Sequence, residues 1–451
     1  MATNACDVVV VGLGPGGEAT ATQLARAGLS VVAVDERLVG GECPYYGCIP
    51  SKMIIRAADV LAEGRRIPQL AGESDVRPDW SEVADRIREE ATDDWNDQVA
   101  VDRLEDAGAT FVRGHARLTG ARTIQVGDEG YQAKRGVVLN PGTSPAAPPI
   151  EGLDGTPYWT NREVLRIESV PGSLAVIGGG PIGAELAQAL SRFGVRVTVL
   201  EVGERILGPE EPESSRLLAE VFAHEGIQVL TGITINSVSY DDGRFRVSLD
   251  GQQQVDAEKL LVAAGRRPNL ADLGLETVGL DPSARSIDVD EHMRAGEGLW
   301  AIGDVVGKGA FTHVSMYQSA ICVRDILGQD GPTADYRALP HVTFTDPEVG
   351  SVGMTERRAR DAGLNVRVGL TDLASSTRGW IAKGKGLIKL VEDADRGVLV
   401  GATAVGPSGG ELLSMLTTAV HAEVQTDTLR SMIYAYPTFH RAVEVALNDL
   451  A

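Results

Sequence analysis

Short β-branched runs alternate with amphipathic stretches along most of this chain. Asp7-Val8-Val9-Val10-Val11 is an unbroken apolar run of strand length, the pattern of a parallel strand buried on both faces. A helix is predicted from Glu18 to Ala27 and a second strand from Ser30 to Val34. The succession recurs as a strand from Leu174 to Ile177, a helix from Ala184 to Phe193 and a strand from Val195 to Leu200. Between the two copies, Asp79 to Ala107 is polar, charged and helical in pattern, Gly130 to Val138 alternates weakly like a strand, and Asn140 to Gly155 reads as a Pro/Gly-rich connector. Several short strands are predicted from Gln228 to Ala264, and Leu299 to Ile302 is another, running into Gly303-Asp304. From about Arg337 the pattern changes to strands at 342–344, 386–391 and 398–405, then helices at 411–424 and 439–450, which reads as a separate α+β domain.

Each repeated strand–helix junction carries glycines at fixed offsets. Gly12, Gly14 and Gly17 follow the first strand, and Asp35 ends the second. Strand, GxGxxG, helix, strand and acid together form a dinucleotide fingerprint. The first glycine makes the turn, the second admits a pyrophosphate to the helix N-terminus, and the third lets helix and strand pack closely. Gly178, Gly180, Gly183 and Glu201 repeat all of it, so two dinucleotides are expected. A carboxylate at Glu201 suits a free 2′-hydroxyl and repels a 2′-phosphate, which favours NADH over NADPH. Arg205, close by in sequence, softens that preference and leaves NADP(H) open.

Cys43 and Cys48 lie just after the first fingerprint, in Gly40-Gly41-Glu42-Cys43-Pro44-Tyr45-Tyr46-Gly47-Cys48-Ile49-Pro50-Ser51-Lys52. The run after Pro50 reads as a helix, which places both thiols near a positive dipole end that favours thiolate. Beside a nucleotide site, such a pair suggests a redox relay. The alternatives are a buried structural pair or half a zinc site, but zinc wants four ligands and no second Cys/His cluster is visible. No metal ligand is assigned. Cys6 and Cys322 sit in or beside apolar stretches and read as buried, inert thiols.

Composition narrows the classes. A chain of 451 residues suggests roughly three domains. A formal net charge of −21 argues against nucleic acid or an anionic membrane as partner. Four cysteines are not a disulfide framework, no run is apolar enough to span a bilayer, and no basic leader is seen, so a cytoplasmic protein is expected.

With these motifs placed, the chain resembles the flavoprotein disulfide reductases, the pyridine nucleotide–disulfide oxidoreductase family that includes dihydrolipoamide dehydrogenase, glutathione reductase and mercuric reductase. The resemblance runs over essentially the whole chain. It implies an α/β fold of two Rossmann-like dinucleotide-binding domains plus a C-terminal α+β dimerisation domain. The division expected is FAD-binding at 1–150, NAD(P)-binding at 151–264, a return to the FAD or central domain at 265–336, and dimerisation at 337–451. FAD would be held by Gly12, Gly14, Gly17, Asp35, Gly41, Lys52, Ala116, Gly142, Gly265, Arg266, Gly303 and Asp304. NAD(H) would be held by Gly178, Gly180, Gly183 and Glu201. The implied chemistry runs from NADH to the flavin and on to the Cys43–Cys48 disulfide, with Cys48 against the flavin and Cys43 attacking the acceptor. Lys52 would pair with Glu185, and a cation there would stabilise reduced flavin. The bland reading makes Lys52 an exposed helix-start lysine and Glu185 a solvated helix residue. His313 would support the flavin site. A homodimer acting on a small-molecule disulfide or another acceptor is implied.

The chain departs from the family near its end. Tyr436 stands where disulfide-reducing members carry a proton-shuttling His, and Arg441 stands where they carry the Glu that orients it. A Tyr, with a pKa of about 10, is a poor shuttle at neutral pH. His440, one turn beyond Tyr436, would share its helix face, either as a replacement base or as a half-buried interface histidine. Tyr436 is similar to mercuric reductase, yet no cysteine follows Cys322 to deliver a metal. Leu139-Asn140-Pro141-Gly142-Thr143 stands where the family usually has Ala-Thr-Gly, with Gly142 retained, and Tyr45 and Tyr46 are bulky between the thiols. The acceptors expected are therefore an unusual disulfide, then a soft metal ion, then a quinone, with dihydrolipoamide dehydrogenase as a further alternative.

Overall fold

A computed structural model describes residues 3–450. The chain forms two compact units. One comprises the residues up to Met53 with Glu82–Ala146 and Gly265–Asp335, and the other Ile54–Ser81, Ala147–Ala264 and the residues from Tyr336 onward.

The first unit is organised by a sheet whose strands run in the order Arg294–Gly296, Leu299–Ala301, Glu129–Leu139, Thr3–Val11, Val31–Asp35 and Thr110–Arg113. All neighbouring pairs are parallel except the first, and a hairpin of Ala116–Gly120 and Thr123–Val126 joins Glu129–Leu139 from the side. The continuous Val run has the burial that its composition implies. Val8 and Val10 enter one core cluster, and Val9 and Val11 enter another on the opposite face. The helix Pro15–Arg26 follows, with Pro at its start, where a missing N–H costs nothing. It packs against the helix Thr312–Leu327 through small residues, and Thr20 Oγ1 lies 2.7 Å from Ser319 Oγ.

Two expectations are corrected in this unit. The stretch 79–107 is not one helix but Ser81–Arg86, a π-helical turn Ile87–Ala91, and Gln98–Asp106. Asp93, Asp94 and Trp95 between them all have positive φ (48°, 53° and 56°), which no α-helix accommodates. The connector after Asn140 contains a short strand, Thr143–Pro145, paired antiparallel with Arg266–Pro268.

The second unit contains a parallel sheet in the order Gln228–Thr231, Arg196–Glu201, Ser173–Ile177 and Lys259–Val262. An antiparallel sheet of Ile235–Asp241, Arg244–Leu249 and Gln254–Ala257 shares its core through Ile177, Leu200, Phe245 and Val247. The C-terminal part is a five-stranded antiparallel sheet in the order Pro340–Thr343, Glu348–Gly353, Val398–Gly406, Leu387–Asp393 and Val366–Asp372. The helices Gly409–His421 and Ala442–Asn448 contribute Leu413, Leu416, Val443 and Leu447 to its core. The last helix is therefore shorter than the 439–450 expected. Within this unit Arg192 is 4% exposed and reaches Asp59, Glu225 and Asp346 at 2.7, 2.7 and 2.8 Å. Burial pushes Asp59 up to about 6 against the pull of Arg192.

Candidate active site

The first glycine loop is shaped by backbone contact. Gly12 has φ 85°, and a Cβ there would stand 2.3 Å from the Asn140 carbonyl oxygen. A Cβ on Gly17 would stand 2.0 Å from the Gly12 carbonyl oxygen, so helix and turn close only without side chains. Gly14 caps the helix, its carbonyl accepting from Glu18 N at 2.9 Å. Gly41 (φ 68°) would place a Cβ 2.8 Å from Gly14 Cα, so the redox segment lies directly on the loop. Asp35 accepts hydrogen bonds from Leu13 N (2.6 Å) and Arg37 N (2.7 Å). Burial raises its pKa and these two amides oppose the rise.

The same unit brings the remaining expected FAD ligands into order. Thr143 Oγ1 donates to Asp304 Oδ2 at 2.6 Å, while Arg266 donates to Thr143 Oγ1 (2.7 Å) and to its carbonyl (2.8 Å). Gly303 (φ 78°) donates to Gln318 Oε1 at 2.6 Å. Gly265 accepts from Ala146 N, and Gly142 accepts from Asn269 N, both at 3.0 Å. Ala116 is buried at the head of its strand, and His313 stacks on Phe311 with ring centroids 5.2 Å apart. A backbone-lined helix N-terminus beside an acid at a strand end fits a dinucleotide. FAD fits these residues on that ground.

The helix expected after Pro50 begins two residues earlier, at Cys48, and the two thiols occupy separate helices. Cys43 lies in a one-turn helix, Glu42–Tyr46, and Cys48 begins the helix Cys48–Arg66 itself. The break is at Gly47 (φ −139°, ψ −116°). Only Cys48 therefore has the dipole position that the sequence suggests for both. The Cys48 thiol is pushed down to about 6 by the Cys43 hydrogen bond, by Thr312, whose Oγ1 is 3.5 Å away, and by the Lys52 charge. Cys43 is raised by the same shared bond and by burial. Cys48 is exposed and Cys43 half-buried.

The second glycine loop repeats the first. Gly178 (φ 106°) would put a Cβ 2.5 Å from the Ala263 carbonyl oxygen, and Gly183 would put one 2.0 Å from that of Gly178. A Cβ on Gly180 would meet nothing within 4 Å. Glu201 accepts from Gly179 N and Gly203 N, both at 2.6 Å. Arg205 turns away, donating to the Gly208 and Glu210 carbonyls at 2.6 and 3.2 Å. These residues fit a nicotinamide dinucleotide on the same grounds.

Glu185, on the helix Pro181–Arg192, is 6% exposed and accepts from Phe344 N at 2.8 Å, so it is not the solvated residue of the bland reading. Lys52 belongs to the first unit and Glu185 to the second.

At the C-terminus, Tyr436 and His440 lie in turns, and no helix face unites them. Pro437 has no N–H to donate, and a residue preceding proline is biased away from helix. The Tyr436 hydroxyl donates to Thr377 Oγ1 at 3.2 Å, and the Arg441 guanidinium lies 5.6 Å from its ring centroid. His440 faces the Met415 sulfur and packs on Tyr434.

Three residues of these sites escaped the sequence reading. Thr143 bridges Asp304 and Arg266, Thr312 touches Cys48, and Trp95 donates to the Tyr45 carbonyl at 3.2 Å. Thr143 adjoins a motif glycine and was within reach; Thr312 lies 264 positions from Cys48 and had no local signal.

Among the described residues, no group of three or more His, Cys, Asp or Glu is placed to hold a metal, and no helix is long and apolar enough to cross a membrane. Residues 6–319 match the pyridine nucleotide-disulphide oxidoreductase family, and residues 339–447 match that family's dimerisation domain. A mercuric reductase of Acidithiobacillus ferrooxidans is 33% identical over 97% of this chain and 81% of its own. A dihydrolipoyl dehydrogenase of Thermus scotoductus is 32% identical over 98% of this chain and 97% of its own. The HOCl-induced flavoprotein disulfide reductase of Escherichia coli, solved as a Cu(II) complex, superposes with a TM-score of 0.86 at 26% identity, covering 99% of both chains. The chain belongs to the pyridine nucleotide-disulphide oxidoreductase family. It is accordingly an FAD-dependent oxidoreductase that uses NAD(P)H, and it carries a dimerisation domain.

Proposed function

We propose that this protein passes electrons from NADH through FAD and the Cys43–Cys48 pair to a small-molecule disulfide. The observation that carries this reading is the split pair: a low-pKa thiol at Cys48, hydrogen-bonded to a raised, half-buried Cys43. When bound, FAD supplies a two-electron link between nicotinamide and thiols. In the reduced pair, Cys43 passes its proton to the hydrogen-bonded Cys48 thiolate as it attacks the acceptor disulfide, forming a mixed disulfide and expelling one thiolate. Cys48 then attacks the Cys43 sulfur, closing the ring and releasing the second thiolate. Two protons are taken up by the products.

Lys52 and Glu185 take the roles that the resemblance gives them, as a cation favouring reduced flavin and its carboxylate. Residues 1–150 with 265–336 serve FAD, 151–264 serve NAD(H), and 337–451 serve dimerisation. NADH is preferred, because Glu201 offers a carboxylate and Arg205 is tied elsewhere. Homodimer formation is supported by Ile433, Trp380 and Tyr436, which are 98, 74 and 67% exposed on the dimerisation domain.

A second reading, a soft metal ion as acceptor, is favoured by Tyr436 in place of a base and by the mercuric reductases among the relatives. The test is anaerobic. The NADH-reduced protein is mixed separately with lipoamide disulfide and with Hg(II). Fast reoxidation by the disulfide is the expected result. Reoxidation by Hg(II) alone transfers the function to metal reduction.

A further inference from the structure

The stretch from Ile87 to Asp97 is the most irregular backbone near the thiols. A π-helical turn, Ile87–Ala91, leads into Asp93, Asp94 and Trp95, all left-handed. Left-handed backbone is disfavoured for residues with a Cβ, and π-turns gather at functional places. Local bonds hold the shape: Asp94 N donates to Arg88 O (2.7 Å), and Thr92 Oγ1 donates to Ile87 O (3.0 Å).

What this shape delivers is two side chains to the redox segment. Trp95 Nε1 donates to the Tyr45 carbonyl at 3.2 Å. Tyr45 sits in the one-turn helix of Cys43, and so short a helix leaves its last carbonyls poor in intrahelical partners. Two residues on, the buried Asp97 carboxylate accepts from Val39 N at 2.7 Å and from Arg113 at 2.6 Å. Val39 is the residue before Gly40-Gly41. One strained stretch therefore grips the redox segment at its entry and between its thiols.

We propose that Trp95 and Asp97 are positioning residues that hold the Cys43 helix against Cys48 and so set the dithiol–disulfide equilibrium of the pair. The proposal rests on the reading that this pair is redox-active. Closing the ring removes two electrons and two protons from the thiols and demands a narrow range of Cα separations. A clamp that keeps the two thiols near that range favours the disulfide.

The test uses the FAD-loaded protein equilibrated in dithiothreitol buffers of graded oxidation, acid-quenched, with its thiols counted by mass. Trp95→Phe keeps a ring and loses the donor. It should move the equilibrium about fivefold toward the dithiol, the worth of one ordinary hydrogen bond, and raise the pH midpoint of Cys48 alkylation. Trp95→His restores a ring N–H and should recover part of both shifts. Asp97→Ala should move both in the same direction as Trp95→Phe. Wild-type values in Trp95→Phe, or equal shifts in the Phe and His variants, would overturn the proposal. Because dithiothreitol bypasses NADH, failure of the electron-transfer reading shows separately, as a wild-type disulfide that NADH does not open.

Discussion

The two glycine loops share their local construction and differ in their surroundings. In each, the first glycine has positive φ against a carbonyl, the third seats on the first, and a terminal acid accepts two amides. The surroundings of the middle glycine differ. Gly14 is covered by Gly41, and a Cβ on it would stand 3.5 Å from Asn140 Nδ2, whereas a Cβ on Gly180 would meet nothing within 4 Å. The two loops therefore share one fingerprint and differ in what lies against its middle glycine. We expect the covered loop to retain its dinucleotide and the open one to exchange it.

The strongest way to break the comparison is Gly12→Ala. Positive φ alone costs about 1–3 kcal/mol, and the added carbon meets backbone, so the purified protein should lack FAD absorbance. Gly178→Ala is the matching change in the other loop. It should keep FAD while kcat/KM for NADH falls at least about tenfold, in line with about 1.4 kcal/mol or more of lost binding. FAD loss in both variants, or in neither, would erase the distinction. The thiols on the covered loop give a pH signature. The folded Cys48 pKa lies below its unfolded value, so reduced protein should gain stability as pH rises from about 6 toward 9 and lose it as pH falls through about 6. Alkylation of Cys48 should fall through the same midpoint, and the oxidised protein should show neither change. A midpoint near 9 by thiol titration would remove the assigned thiolate. Gly180→Ala should raise KM for NADH about fivefold without loss of FAD, because its Cβ enters the open space through which a pyrophosphate reaches the helix N-terminus. Smallest of all, Arg205→Gln should leave the NADH/NADPH ratio of kcat/KM within about twofold, since that guanidinium is already engaged.

Much of this was legible in the chain because its signals are short-range. Val8 to Val11 reads as a doubly buried strand, Gly12 and Gly178 as turns, and Asp35 and Glu201 as strand-end acids, and each lies there. The stretch 79–107 misled because its charges fit a helix, while the left-handed turn at Asp93 to Trp95 is stabilised by contacts that include the distant Tyr45 carbonyl. Tyr436 and His440 misled because four-residue spacing implies a shared face only on a helix, and Pro437 sits between them.

By itself, the sequence determined the two nucleotide loops, the dithiol, the family and the loss of the usual His–Glu dyad. Each depends on residue types at fixed, short offsets. Tertiary structure alone decided which thiol is acidic, what covers Gly14, and what grips the redox turn. Those answers depend on Thr312, Asn140 and Trp95, which reach the site from distant positions, and hydrogen bonds of that kind leave no periodic trace in the chain.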